Sequence, residues 1–162
     1  MQKAPIPIND EARVCAVEGL HLLDTASEER FDRLTREATK RFFVPISTIT
    51  LVDKDREWFK SVQGLQTREG PRDISFCGHA LMSQVILIIE DTLADPRFAD
   101  NPMVLGEPKI RFYAGKSLYD RKSNLPVGVF CLKDHKPREF SLSDMSDFLD
   151  LASRAEEEIN KD

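Results

Sequence analysis

Two thiols and an imidazole stand in short, glycine-bearing segments of this chain. Cys77 and His79 lie in Ser75-Phe76-Cys77-Gly78-His79-Ala80, and Cys131 closes Gly128-Val129-Phe130-Cys131. Three chemistries use such groups. Ser75 reads as the N-cap of a short helix, which puts Cys77 in the first turn, where the helix dipole favours a thiolate suited to redox or covalent chemistry. Cys77 can equally be a small buried apolar residue, since free cysteine is among the most buried residue types. Cys77, His79 and Cys131 together form a thiolate–imidazole set of the kind zinc accepts, with Asp91 or a water as a fourth ligand. Residues two apart do not share a helix face, so that set converges only on irregular backbone. Otherwise His79 hydrogen-bonds a loop or lines a pocket.

Arg111 and Tyr113 alternate with Phe112 and Ala114, which places them on one face of a strand. Arg111 suits a bidentate hold on an anionic ligand. It equally suits an ion pair with Asp91 or Asp95 that fastens the segment before it. Trp58 can stack on a planar ligand or fill a core. The ligand-binding candidates are therefore Trp58, Ser75, Cys77, His79, Asp91, Arg111, Tyr113 and Cys131. The sequence contains no GxxxxGK[ST] phosphate loop, G-x-S-x-G elbow, HExxH or CxxC, and no catalytic residue or cofactor is assigned.

Local signals set out the elements that must position these groups. Asn9 or Asp10 caps a helix over residues 11–23, and Thr25 with Glu28 predicts a capping box for a second helix carrying Phe31, Leu34, Ala38 and Phe42. Pro45 ends it. Residues 46–53 are rich in β-branched side chains and read as a strand, returning over 57–62 with Trp58 and Lys60 on one face and Phe59 and Ser61 on the other. A loop over 64–73 precedes the Ser75 helix, which is expected to reach about residue 84. Strands follow over 86–90, 110–118 and 127–133. A long loop over 91–109, with a helical turn, and a polar hairpin loop over 119–126 connect them. Ser141 with Asp144 makes a capping-box-like start for the last helix, and Phe140 with Met145 a hydrophobic staple. Its stripe runs through Leu142, Met145, Phe148, Leu149, Ala152, Ala155 and Ile159. The order predicts an α+β fold with an antiparallel sheet of five or six strands. Terminal helices cover one face. The short helix and the long loop cover a pocket on the other.

At 162 residues the chain has room for one core, with residues 1–8 as a flexible leader and 9–162 as a single domain. A net charge of −5 supplies no field for nucleic acid or an anionic membrane. The longest apolar run, Val85-Ile86-Leu87-Ile88-Ile89, is far short of the ~20 residues that span a bilayer. No signal-like leader precedes it, and three widely spaced cysteines suit reduced thiols, so a cytoplasmic location is expected.

A series of motifs also appears in order: Leu22-Leu23-Asp24-Thr25, Phe31-Asp32-Arg33-Leu34, Trp58-Phe59-Lys60-Ser61, Ser75-Phe76-Cys77-Gly78-His79-Ala80, Asp95-Pro96-Arg97-Phe98 and Ile110-Arg111-Phe112-Tyr113-Ala114-Gly115. In these the chain resembles GAF domains of bacterial signalling proteins, near diguanylate cyclases and sensor kinases. The resemblance implies a non-catalytic sensory module that binds an unknown small molecule and relays the event through terminal helices in a homodimer. With no output domain in the chain, it is expected either to be a stand-alone module or to have a separate signalling protein as its partner. Arg121-Lys122-Ser123-Asn124 departs from the Asp-Gly turn usual before the last strand. An alternative is a thiol-dependent enzyme similar to methionine sulfoxide reductases, although Cys77 and Cys131 do not match their cysteines residue by residue. Another is a metal, haem or chromophore sensor. Bilin-binding relatives attach pigment through a cysteine adjacent to histidine, and here Gly78 intervenes.

Overall fold

The computed structural model describes residues 1–161. A six-stranded antiparallel sheet has the spatial order β3 (Glu69–Pro71), β2 (Arg56–Gln63), β1 (Ile46–Val52), β6 (Leu125–Asp134), β5 (Phe112–Asp120) and β4 (Leu87–Ile89). In chain order, α1 (Asp10–Gly19) and α2 (Glu29–Phe42) precede β1 (Ile46–Val52), β2 (Arg56–Gln63) and β3 (Glu69–Pro71). Then come α3 (Phe76–Ala80), β4 (Leu87–Ile89), a 3-10 turn (Thr92–Ala94), α4 (Pro102–Leu105), β5 (Phe112–Asp120), β6 (Leu125–Asp134) and α5 (Leu142–Ile159). This is the expected α+β architecture.

Strand alternation divides the interior in two. Ile49, Leu51, Phe112, Ala114, Phe130 and Leu132 meet Val17 of α1, the α2 stripe, and Phe148 and Leu151 of α5. On the opposite face Ile46, Val52, Tyr113, Val129 and Cys131 meet α3, Phe98 and Val104. The α5 stripe is mostly consumed by the first of these cores: Phe148, Ala152, Ala155 and Ile159 are buried, while Leu142 and Leu149 stay exposed.

Several boundaries differ from the sequence reading, each for a local reason. α1 stops at Gly19 because His21 and Asp24 both take left-handed backbone. The predicted capping box at Thr25 does not form. Glu28 is the N-cap of α2 without a side-chain cap bond, and its carboxylate instead meets Arg30 and Lys60. Ser141 and Asp144 do form a capping box. α3 ends at Ala80 rather than near residue 84. The 64–73 loop contains β3, which pairs through Glu69–Pro71 on the edge of β2, a place where proline is tolerated. The 91–109 segment holds two short turns, capped by Asp91 and Asn101. The β5–β6 connection closes with Asn124 in left-handed backbone, while Asp120 accepts from the Ser123 N–H and hydroxyl. Residues 1–8, read as a flexible leader, form no helix or strand, yet the Gln2 and Ala4 N–H groups donate to Arg97 and Asp73 carbonyls. Among the described residues no helix is long and apolar enough to cross a membrane.

Candidate functional site

The α3 face of the sheet carries an unusual number of buried polar groups. Thr48 and Thr50 lie two apart on β1, Glu57 on β2, Tyr113 on β5, and Cys131 and Lys133 two apart on β6. The Ser75 cap sets Cys77 above them. Its hydroxyl accepts from Gly78 N–H at 2.9 Å and donates to Arg72 O at 2.7 Å. Gly78 is required here, since a Cβ would stand 2.6 Å from that of Ala4 and 2.7 Å from Ser75 Oγ.

Four hydrogen bonds link the cluster. The Tyr113 hydroxyl donates to Cys77 Sγ at 3.3 Å, and the Cys77 thiol donates to Thr50 Oγ1 at 3.5 Å. The Thr50 and Thr48 hydroxyls are 2.7 Å apart, and Thr48 Oγ1 is 2.9 Å from Cys131 Sγ. Tyr113 and Cys77 donate in the first two bonds, and in the last two either partner can be the donor, so the chain links Cys77 to Cys131 through the Thr50–Thr48 pair. Gly115 leaves room for the phenol: a Cβ there would collide with the Tyr113 hydroxyl and stand 2.7 Å from its ring.

The charges follow from burial. Burial pushes the Glu57 carboxyl up to about 8 against the pull of Lys133, and its Oε1 has no hydrogen-bond partner. Lys133 is 2% exposed. Among the described residues no carboxylate lies within ion-pair distance of its Nζ, which stands 5.6 Å from the Phe59 ring centroid. Burial also raises the Cys77 thiol well above the ordinary range. At Cys131 burial works the same way, but Cys77, the Lys133 charge and the Thr48 hydroxyl outweigh it and lower that thiol.

The structure therefore brings together Cys77, Tyr113 and Cys131, with Ser75 as the cap that places Cys77. It separates the other candidates. Trp58 belongs to the helix-side core, its ring covered by Arg68 at 4.8 Å. A bulge between Ile49 and Thr50 sets Phe59 opposite Thr50 and Ser61 opposite Ile49. Lys60 and Ser61 consequently both bond groups on the helix side: Lys60 donates to Ala26 O and Ser61 to Asp32, instead of lying on opposite faces. His79 points to Gln2 O at 3.1 Å and lies edge-on to Phe98, away from the thiols. Among the described residues no three His, Cys, Asp or Glu side chains are grouped to hold a metal, so the Cys77–His79–Cys131 set does not converge. Arg111 precedes β5 and donates to Asp91 at 3.0 Å, fastening the long loop, and Asp91 caps its 3-10 turn. Thr48, Thr50, Glu57 and Lys133 escaped the sequence reading. Period-two alternation does place Thr48 with Thr50 and Cys131 with Lys133, but it does not say which face is closed.

The space expected as an open pocket is filled. Phe76 stacks between Phe98 at 4.7 Å and Tyr113 at 5.1 Å. An open cleft of about 710 Å³ lies outside this stack, beside β4, between Asp91, Asp95, Arg97 and Phe140. Its charged groups are already partnered: Arg97 pairs with Asp95, and a neighbouring carboxylate, Glu90, accepts from the Phe140 N–H.

Comparison with known proteins places these features in a family. The model of the GAF domain matches residues 26–159. A cyclic di-GMP phosphodiesterase of Pseudomonas aeruginosa is 39% identical over 138 residues, which cover 85% of this chain and 23% of that protein. The chain thus spans about a quarter of that relative's length. Among solved structures, the GAF domain of an Acinetobacter phosphoenolpyruvate-protein phosphotransferase superposes with a TM-score of 0.65 at 15% identity, covering 91% of this chain and 92% of that one. A free methionine-R-sulfoxide reductase of Neisseria meningitidis, in complex with its substrate, gives 0.64 at 16% identity, covering 99% and 98%. At these identities the likeness is one of fold.

Proposed function

This chain belongs to the GAF domain family, and on that premise we propose that it is a non-catalytic sensory domain for a small polar molecule. The observation that carries the reading is the pair Glu57 and Lys133, buried on the α3 face without an ion pair. Burying an ammonium with no ion pair beside a carboxyl whose Oε1 lacks a partner is expensive and is weak support for a fold, so a ligand-recognition role accounts for it better than stability does. The ligand enters as α3 and the 91–109 segment part, and it replaces the aromatic stack over Cys77 and Tyr113.

A route to the helices starts at the cap of α3. Ser75 donates to Arg72 O, and the Arg72 guanidinium holds Asp10 of α1 through two bonds of 2.8 Å. A shift of α3 is therefore felt at α1, and through it at a homodimer contact made by the terminal helices. Occupancy alone does nothing; the ligand must prefer one arrangement of these elements. The output is supplied by a signalling segment or a separate protein, in keeping with the phosphodiesterase context of the relative, and the domain works in the cytoplasm. A second reading, a thiol-dependent reductase, draws support from the adjacent Cys77 and Cys131.

Native mass spectrometry of freshly purified protein tests the first reading. A dimer carrying extra mass that is lost on denaturation supports it; a bare monomer argues against it. Turnover of free methionine sulfoxide that disappears in Cys131→Ser favours the second.

A further inference from the structure

We propose that Cys77 and Cys131 are a peroxide-oxidised dithiol that closes a disulfide between α3 and β6. The assignment is independent of any ligand at the site. The two sulfurs stand at either end of the Thr50–Thr48 hydroxyl pair, Cys77 Sγ 3.5 Å from Thr50 Oγ1 and Cys131 Sγ 2.9 Å from Thr48 Oγ1.

Their roles are unequal. Cys77 donates to Thr50 at one end of the hydroxyl pair, and Cys131 lies at the other end, where the Thr48 hydroxyl is placed to donate to it. Lys133 lies two residues along β6, on the same face, with no carboxylate within ion-pair distance among the described residues. A thiolate at Cys131 supplies the missing countercharge, and Thr48 donates to it. Cys77 keeps its proton and gives it to Thr50, which suits the second, resolving position.

The chemistry balances with hydrogen peroxide as the oxidant. The Cys131 thiolate attacks one peroxide oxygen and the O–O bond breaks. Cys131 becomes a sulfenic acid and hydroxide leaves. Cys77 then attacks that sulfur, the S–S bond forms, the S–O bond breaks, and the released hydroxide takes the Cys77 proton as water. Two thiols and one peroxide give one disulfide and two waters. A dithiol reductant reverses it. Both sulfurs are fully buried, so oxidation waits on local opening of the five-residue α3. The bond removes the thiol donor to Thr50 and draws α3 onto β6, which resets the Ser75–Arg72–Asp10 link.

The test uses the full chain with exposed Cys15 changed to serine. The folded protein is treated with hydrogen peroxide, unfolded in iodoacetamide and mapped by mass. The expected product has lost two hydrogens, joins the Cys77 and Cys131 peptides, and regains two alkylatable thiols with dithiothreitol. Free Cys77 and Cys131 after treatment overturn the proposal, as does Cys131 advanced to sulfinic acid with Cys77 untouched. Cys77→Ser is expected to leave a Cys131 sulfenic acid that dimedone traps; a trap found instead at Cys77 in Cys131→Ser reverses the assigned roles. Lys133→Met lowers the oxidation rate about tenfold, the change in thiolate fraction for one pKa unit. An unchanged rate removes Lys133 from the mechanism. Should these core variants fail to fold, the Cys15→Ser measurement still decides the disulfide.

Discussion

At the residue scale, Glu57 sets a pH dependence of stability. Burial holds its carboxyl at about 8, above the ordinary 4.5. The folded protein therefore keeps a proton that the unfolded chain releases. This contribution is fully present below about pH 4.5 and is lost as pH rises through about 8, at about 1.4 kcal/mol per pH unit in between. Urea unfolding at pH 5, 7 and 9 measures it: Glu57→Gln flattens the decline and gains on the parent at pH 9. Gly115 is the second informative residue. Gly115→Ala forces the Tyr113 ring from its seat against Cys77 and costs about 1–3 kcal/mol, the usual price of overpacking. Adding Tyr113→Phe, which removes the colliding hydroxyl, is expected to recover part of that loss in the same unfolding assay. In the sequence Glu57 is only the first residue of a returning strand, and alternation alone does not say that its face is closed or that the Tyr113 ring lies over Gly115.

At the element scale, α1 is held by charge as well as by Val17. Arg13 is fully buried, and Asp10 bridges it to Arg72. The hydrogen bonds from Arg72 hold the Asp10 carboxyl down at about 2. Asp10→Asn leaves two buried guanidinium groups without their countercharge, and a loss of about 3–5 kcal/mol is expected in denaturant unfolding. Ser75→Ala removes the cap of α3 and costs about 1 kcal/mol. Hydrogen exchange should show faster opening confined to residues 76–80 and their neighbours. The Ser75 cap was readable from sequence because capping is decided within three residues. The Asp10–Arg72 bridge was not, because its partners are 62 positions apart.

At the scale of the whole molecule, the helices that could join two copies also build one copy's core. α2 and α5 are tied by the Arg154 fork on Glu37 and by Arg30 and Arg33 on Glu158. The apolar surface left for a second chain on α5 is Leu142 and Leu149. If the proposed homodimer uses this helix, Leu142→Glu with Leu149→Glu should shift the mass by light scattering from dimer to monomer while the melting curve changes little. A mass unaffected by the pair places the contact elsewhere.

Whatever acts over a few residues could be read from the amino acids in order. Caps at Ser75 and Ser141, β-branched strands, the helical stripes and the ordered motifs were enough for the α+β fold and the family. Cys77, Tyr113 and Cys131 were named from their positions in short segments. Which groups meet depended on the packing of distant segments. Thr48 reaches Cys131 across 83 positions, and Cys77 reaches Thr50 across 27. The single bulge in the β1–β2 pairing brought Ser61 to the helix side with Trp58 and Lys60 and left Phe59 with Lys133. Local propensity fixes a strand's existence, but its register and the face that becomes closed depend on the pairing and packing of distant segments.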